Sequence, residues 1–185
     1  GEIEREDPTG CEIVETKDGT IPEVSIITPM YNAAEFILAT AECVMAQTFG
    51  NYEWLIVDDC STDASGEIAR TLSESDHRIR YFRLKRNSGP ITARNYGFEQ
   101  ARGRFVAFLD SDDLWLPSKL EKQVTMMKRR HAALSYTGYK KITRTGKEKT
   151  GLIVPVPRKA SYTRILHSDC IMASSAMFDR EITGD

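Results

Sequence analysis

Phe105-Val-Ala-Phe-Leu-Asp-Ser-Asp-Asp113 sets five apolar residues directly against three carboxylates. The apolar half has no polar interruption and reads as a strand covered on both faces, which places it centrally in a largely parallel sheet. The acids emerge at its C-terminal end, where open α/β sheets bind their ligands. Asp110 and Asp112 are two residues apart, so an extended backbone sends both carboxylates to the same side. Two such charges repel unless a cation joins them. Hard oxygen ligands with room for water suit Mg²⁺ or Mn²⁺ better than zinc, and such ions are commonly shared between one or two carboxylates and substrate phosphates. A diphosphate ligand follows from that chemistry. In the competing reading the acids cap the loop before the next helix, a role that fits Asp113 best because acids are favoured near helix N-termini.

Outward from this stretch the chain alternates strands with helices. Val24-Ser-Ile-Ile-Thr28 is a β-branched run that Pro29 is expected to stop. Phe36, Ile37, Thr40, Ala41 and Val44 mark one face of a helix lying on the sheet. Tyr52-Glu-Trp-Leu-Ile-Val57 is a second strand ending in Asp58-Asp59, and Thr62 or Asp63 can cap the helix that carries Ile68 and Leu72. Ile79 to Leu84 is a third strand, and Asn87-Ser-Gly-Pro90 a turn whose proline suits the first position of a helix running to about Ala101.

Beyond the acids a helix is expected from about Pro117 to Arg130, with Ser118 and Glu121 at capping-box spacing and Leu120, Val124 and Met127 on one face. Ala133 to Ile142, the turn Arg144-Thr-Gly-Lys147 and Gly151 to Val156 read as a hairpin, and Ala176-Met-Phe178 as a last strand. The fold class is therefore α/β, a mostly parallel twisted sheet flanked by helices and joined by right-handed crossovers.

A chain of 185 residues suits one core. The first 23 residues carry eight acids against Arg5 and Lys17, so residues 1–22 are expected to be an acidic flexible leader and 23–185 the folded domain. No stretch reaches the ~20 apolar residues that cross a bilayer, and the N-terminus lacks the basic start and apolar core of a secretion signal. A cytoplasmic protein is expected. Four cysteines without a C-x-x-C spacing argue against a zinc site and more strongly against a disulfide framework, and Cys43 falls on the apolar helix face. Residues 119–149 hold ten bases against two acids. They read as a solvated face, or as a surface that approaches anionic lipid at the inner face of the membrane or an anionic acceptor. No nucleic-acid partner is expected.

Three further positions stand at strand ends. Asp58 or Asp59 can accept hydrogen bonds from an imide or hydroxyl of a ligand, or serve an Asx-type turn. Tyr31 can stack on a planar base. Arg94, near the start of the third helix, can join the free backbone N–H groups there in facing a phosphate, or form a surface ion pair.

Taken together, Thr28-Pro-Met-Tyr-Asn32, Val57-Asp-Asp-Cys-Ser-Thr-Asp63, Asn87-Ser-Gly-x-x-x-Ala-Arg-Asn-x-Gly97 and Leu109-Asp-Ser-Asp-Asp113 resemble, in order and spacing, the motifs of the family 2 glycosyltransferases. The resemblance covers about residues 22 to 180 and includes Leu116-Pro-Ser-Lys-Leu120 and Ser175-Ala-Met-Phe-Asp-Arg180. It implies the GT-A fold, a Rossmann-like sheet, and inverting transfer of a sugar from a nucleotide-diphosphate donor, a UDP-sugar, to the hydroxyl of a saccharide or lipid-linked acceptor in cell-surface polysaccharide or glycolipid synthesis. By the same resemblance Pro29 and Tyr31 line the base and ribose, Asp59 reads the imide of a uracil-like base, and Arg94 lies near the diphosphate. Asp110 and Ser111 approach the donor, and Asp112, with Asp110, ligates Mn²⁺ or Mg²⁺ between the phosphates.

The family's general base comes from a segment after the one matching Phe178-Asp-Arg180, whereas this sequence stops at Asp185. The C-terminal part is therefore expected to be truncated and the base to lie outside the chain, which leaves this stretch inactive by itself; Asp179 and Asp185 are the stand-ins. Three rivals compete. A receiver-type signalling domain wants its acid pair after the first strand, and a sugar nucleotidyltransferase a glycine-rich loop after that strand. The third is a non-catalytic nucleotide-sugar-binding module.

Overall fold

The structure is a computed structural model, and it describes residues 2–6, 11–16, 21–145, 147, 153, 154, 156 and 171–183. In chain order the elements are β1 (Glu2–Glu6), β2 (Glu12–Thr16), β3 (Val24–Met30), α1 (Ile37–Met45), β4 (Tyr52–Asp58), α2 (Ser65–Ser75), β5 (Ile79–Arg83), α3 (Pro90–Gln100), β6 (Phe105–Phe108), α4 (Lys119–Arg130), β7 (Leu134–Ser135), β8 (Met177–Asp179) and α5 (Arg180–Thr183). They build one sheet in the order β1-β2-β5-β4-β3-β6-β8-β7. Its centre, β5-β4-β3-β6, is parallel, and the flanking strands on both sides run antiparallel.

The apolar runs form these strands because both faces of the central sheet are covered. Ile26, Trp54, Ile56 and Tyr81 pack with Ile37, Ala41 and Val44 of α1, Ala69 of α2, and Leu120, Val124 and Met127 of α4. Leu55, Val57 and Phe82 pack with Ala93 of α3. Each such large side chain contributes about 1.5–3 kcal/mol on leaving water. Trp54 is fully buried, and its indole N–H is satisfied by donating to Thr28 Oγ1 at 2.8 Å. Helix α3 lies so close to the sheet that a Cβ on Gly97 would come 2.5 Å from Ile27 Cγ2.

Several expectations need correction. Residues 1–22 are not all leader: Glu2–Glu6 pairs antiparallel with Glu12–Thr16, and β2 pairs with β5 through Ile13↔Phe82. Backbone pairing on the open edge of β5 is indifferent to the charge count that suggested a leader. Between the two strands Cys11 is buried against the α3 side of the sheet. Pro29 does not stop β3, which runs to Met30. The carbonyl of Ile27 faces β6, where it accepts the Leu109 N–H at 3.0 Å. Pro29, two residues on, has the same orientation but lies past the end of the β6 pairing, so its missing N–H deprives the ladder of nothing.

The capping box at Ser118 does not form; Glu121 instead accepts the Thr48 hydroxyl at 2.7 Å. Of the expected hairpin the described residues show β7, a Tyr139↔Val154 bridge and a Thr143 N–H to Lys147 carbonyl bond of 2.7 Å. The rest of it lies outside the described residues. The basic stretch is not a uniform surface either. Lys119 is only 9% exposed, its Nζ donating to Gln123 Oε1 at 2.5 Å over the Trp115 ring, while Lys128 and Arg144 pair with Glu23 and Glu35.

Candidate functional site

The exits of β3 and β4 and the start of α3 enclose a cleft of about 200 Å³ lined by Pro29, Met30, Tyr31, Asp59, Asn87, Gly89 and Pro90. The Tyr31 ring is half exposed there, at 49%. Both strands leave the sheet through a left-handed residue, Asn32 at φ 48° and Cys60 at φ 65°. The two exits are tied together. Asn32 Oδ1 accepts the Thr62 N–H at 2.9 Å, and the Asn32 N–H donates to Ser61 Oγ at 3.0 Å.

The two acids at the end of β4 have different roles, which spacing alone left open. Asp58 is fully buried: Oδ1 accepts the Ser61 N–H at 2.8 Å, and Oδ2 accepts the Tyr81 hydroxyl and Arg83 Nη1 at 2.9 and 3.1 Å. It builds the turn, and its negative charge, after burial itself, pushes the Tyr81 hydroxyl well above the ordinary phenol range. Asp59 faces the cleft. Its Oδ1 and Oδ2 accept the backbone N–H groups of Ser88 and Gly89 at 2.8 and 2.7 Å. Each oxygen keeps a further lone pair for a donor on a ligand. Gly89, at φ 86° and ψ 161°, adopts a conformation that favours glycine, and this turns its N–H onto Asp59.

At the end of β6, Arg94 of α3 meets Asp110, Nη2 to Oδ1 at 2.5 Å. The Arg94 Nε is buried and, among the described residues, has no hydrogen-bond partner. Asp112 is exposed. Burial raises the Asp113 carboxyl above its ordinary range, a Ser174 hydrogen bond opposes the shift, and the charges of Asp112 and Asp110 add to it. The three acids therefore share one negative field. Ser111 presents its carbonyl to the Thr40 hydroxyl at 2.9 Å.

Among the described residues no group of three or more His, Cys, Asp or Glu can enclose a metal ion. The loop fits a different kind of site. An octahedral hard ion held by one or two carboxylates, taking its other ligands from phosphate and water, needs no protein cage. Asp110 already has a guanidinium partner, so the exposed Asp112 is the better-placed ligand.

Asp179 is unsuited to act as a base. It is 1% exposed and held by Arg104, whose Nε and Nη2 donate to Oδ1 and Oδ2 at 3.1 and 2.7 Å. Asp185 lies outside the described residues. Sequence reasoning gave no site role to Thr40 and Ser174, which carried no local signal, or to Asn87 and Gly89, whose Asn-Ser-Gly-Pro turn did carry one. Among the described residues no helix is long and apolar enough to cross a membrane.

The family model described as Glycosyl transferase family 2 matches residues 25–183. A Bacillus subtilis (strain 168) protein named for teichuronic acid biosynthesis, glycosyltransferase TuaG, is 43% identical over 163 residues, which are 88% of this chain and 64% of that protein. Escherichia coli WfgD, named as a UDP-Glc:α-D-GlcNAc-diphosphoundecaprenol β-1,3-glucosyltransferase, is 37% identical over 159 residues, 86% of this chain and 61% of WfgD. Among solved structures, S. aureus TarS 1-349 in complex with UDP-GlcNAc matches with a TM-score of 0.66 at 24% identity, covering 85% of this chain and 45% of that one. This last likeness concerns the fold alone. The chain spans less than two thirds of the length of each of these relatives.

Proposed function

Because the chain belongs to glycosyl transferase family 2, we propose that it binds the UDP-sugar donor of an inverting transfer to a hydroxyl acceptor. The observation that carries this reading is the cleft itself, which joins Pro29, Tyr31 and Asp59. Three chain segments meet in it, and α3, which starts there, brings Arg94 to the acids of the β6 exit. Tyr31 offers a ring face to the base, and stacking of that kind is worth about 1–3 kcal/mol. Asp59, fixed by two backbone N–H groups, accepts a hydrogen bond from the imide N–H of uracil. Pro29 completes the wall on the base and ribose side.

Arg94 holds the diphosphate and carries Asp110 with it, while Ser111 and Asp112 stand at the pyrophosphate end. Asp112, with Asp110 behind it, holds Mn²⁺ or Mg²⁺. Such an ion supplies Lewis-acid stabilisation of the leaving nucleoside diphosphate. The base that deprotonates the acceptor lies outside the described residues. The names of TuaG and WfgD support an acceptor in cell-surface polysaccharide synthesis, and that of WfgD a lipid-linked one.

Calorimetric titration of UDP in Mn²⁺ and in EDTA tests the reading. Binding is expected to be tighter in Mn²⁺, and Asp112→Ala to abolish the difference. Equal affinity in both buffers, or wild-type behaviour of Asp112→Ala, overturns it.

A further inference from the structure

We infer that Thr40 and Ser174 are positioning residues for the acid loop, clamping it on both sides of Asp112; the inference rests on the donor-site reading above. Helix α1 follows that loop closely. Its residues Thr40 and Cys43, and Gln47 two positions past its end, follow one another at spacings of three and four. Cys43 Sγ accepts the Trp115 N–H at 3.3 Å, and Gln47 Nε2 donates to the Leu116 carbonyl at 2.9 Å.

Thr40 makes the decisive contact. A threonine inside a helix commonly returns its hydroxyl to a carbonyl of the preceding turn. Here the fully buried Thr40 instead donates to the loop, at 2.9 Å to the Ser111 carbonyl and 3.3 Å to that of Asp113. One hydroxyl thus reaches the carbonyls of the two residues that flank Asp112.

Ser174 reaches the loop from a separate element, the 3₁₀ turn Ala173–Ser175, and lies 64 residues from Asp110 in sequence. Its Oγ accepts the Asp110 N–H at 3.0 Å and also bonds the Asp113 carboxylate. Its carbonyl accepts the Trp115 indole N–H at 2.7 Å, which fixes the turn to the same loop. Ser174 therefore joins the two ends of Asp110–Asp113, and Thr40 holds Ser111 and Asp113 on either side of Asp112. A carboxylate that must meet an ion within a few tenths of an ångström needs such support, and loss of residues that orient metal ligands commonly costs 10–100-fold in affinity.

The experiment is UDP titration in Mn²⁺ and in EDTA on the wild type, Thr40→Val, Ser174→Ala and Thr40→Ser. Thr40→Val keeps the volume and removes the hydroxyl. Both it and Ser174→Ala are expected to weaken UDP binding in Mn²⁺ by about 10–100-fold, to leave the affinity in EDTA unchanged, and Thr40→Ser to restore the wild-type value. Wild-type affinity in Mn²⁺ for both variants overturns the inference. So does an equal loss in both buffers that Thr40→Ser fails to repair, since that is the mark of a merely structural role. Should Thr40→Val not fold, Ser174→Ala decides by the same comparison. A wild type indifferent to Mn²⁺ removes the donor-site reading first, and the inference with it.

Discussion

Arg94 and Asp110 meet at 2.5 Å, one from helix α3 and the other from the exit of the central strand β6. The pair neutralises one of three neighbouring acids and leaves the buried Arg94 Nε with an unused donor among the described residues. The exposed quarter of the Arg94 side chain, rather than this buried atom, can take up a diphosphate oxygen without first giving up Asp110. Hydrogen bonds to charged groups contribute about 1.5–3 kcal/mol. Arg94→Met is therefore expected to weaken UDP binding by roughly 10–100-fold, in EDTA as well as in Mn²⁺. Calorimetry in the two buffers checks it; a loss confined to Mn²⁺ would show that Arg94 acts only through the acids.

Gly89 tests the link between backbone and base pocket. A Cβ built there meets no atom within 4 Å, yet the residue sits at φ 86°. Gly89→Ala should thus act through backbone strain alone, costing about 1–3 kcal/mol. A fall in denaturant midpoint together with weaker UDP binding is expected, because the Gly89 N–H holds Asp59 at 2.7 Å.

Glu53 supplies the opposite control. It is buried near the start of β4 and accepts Ser25 Oγ at 2.6 Å, Arg80 Nη1 at 2.9 Å and the Arg102 N–H at 2.7 Å. Its side chain lies five residues before Asp58, roughly 16 Å along the strand. Glu53→Ala removes a buried carboxylate that pairs with Arg80 and accepts from Ser25 and Arg102, and should destabilise the fold by about 3–5 kcal/mol, with UDP affinity unchanged in the folded protein. Urea unfolding and calorimetry measure the two effects separately.

Lys119 gives a pH dependence. Burial lowers it to about 7 from an ordinary value of 10.5, although Gln123 Oε1 and the Trp115 ring both favour the ammonium. Between these values the unfolded chain holds a proton that the folded one releases, so stability attributable to this residue rises as pH rises from about 7 toward 10. Below about 7 both states are charged and the burial penalty is complete. Lys119→Met is expected to raise the melting temperature most at pH 6, with the gain shrinking toward pH 10. A difference that does not change with pH counts against the assignment.

The parallel centre of the sheet was legible from local pattern. Phe105 to Leu109 is apolar without interruption and Tyr52 to Val57 is broken only by Glu53, and both strands form where those runs predict. Period and polarity suffice there because burial on both faces demands them. The edges were not legible. Residues 1–22 are dense in acids, and a charge count cannot register that Glu12–Thr16 completes the open edge of β5. Lys119 misled in the same way, for its composition is basic and its environment apolar.

The candidate site divides along a similar line. The sequence by itself determined that Pro29, Tyr31, Asp59 and the Asp110–Asp113 acids lie at strand exits, since each follows an apolar run and parallel strands open on one edge. The family resemblance singled out Asp59, but only the tertiary structure showed that Asp58 is spent inside the turn, that Arg94 reaches Asp110, and that Thr40 and Ser174 bond the acid loop. Those assignments depend on contacts between residues 16 to 73 positions apart, and such distances in sequence carry no local signal of proximity.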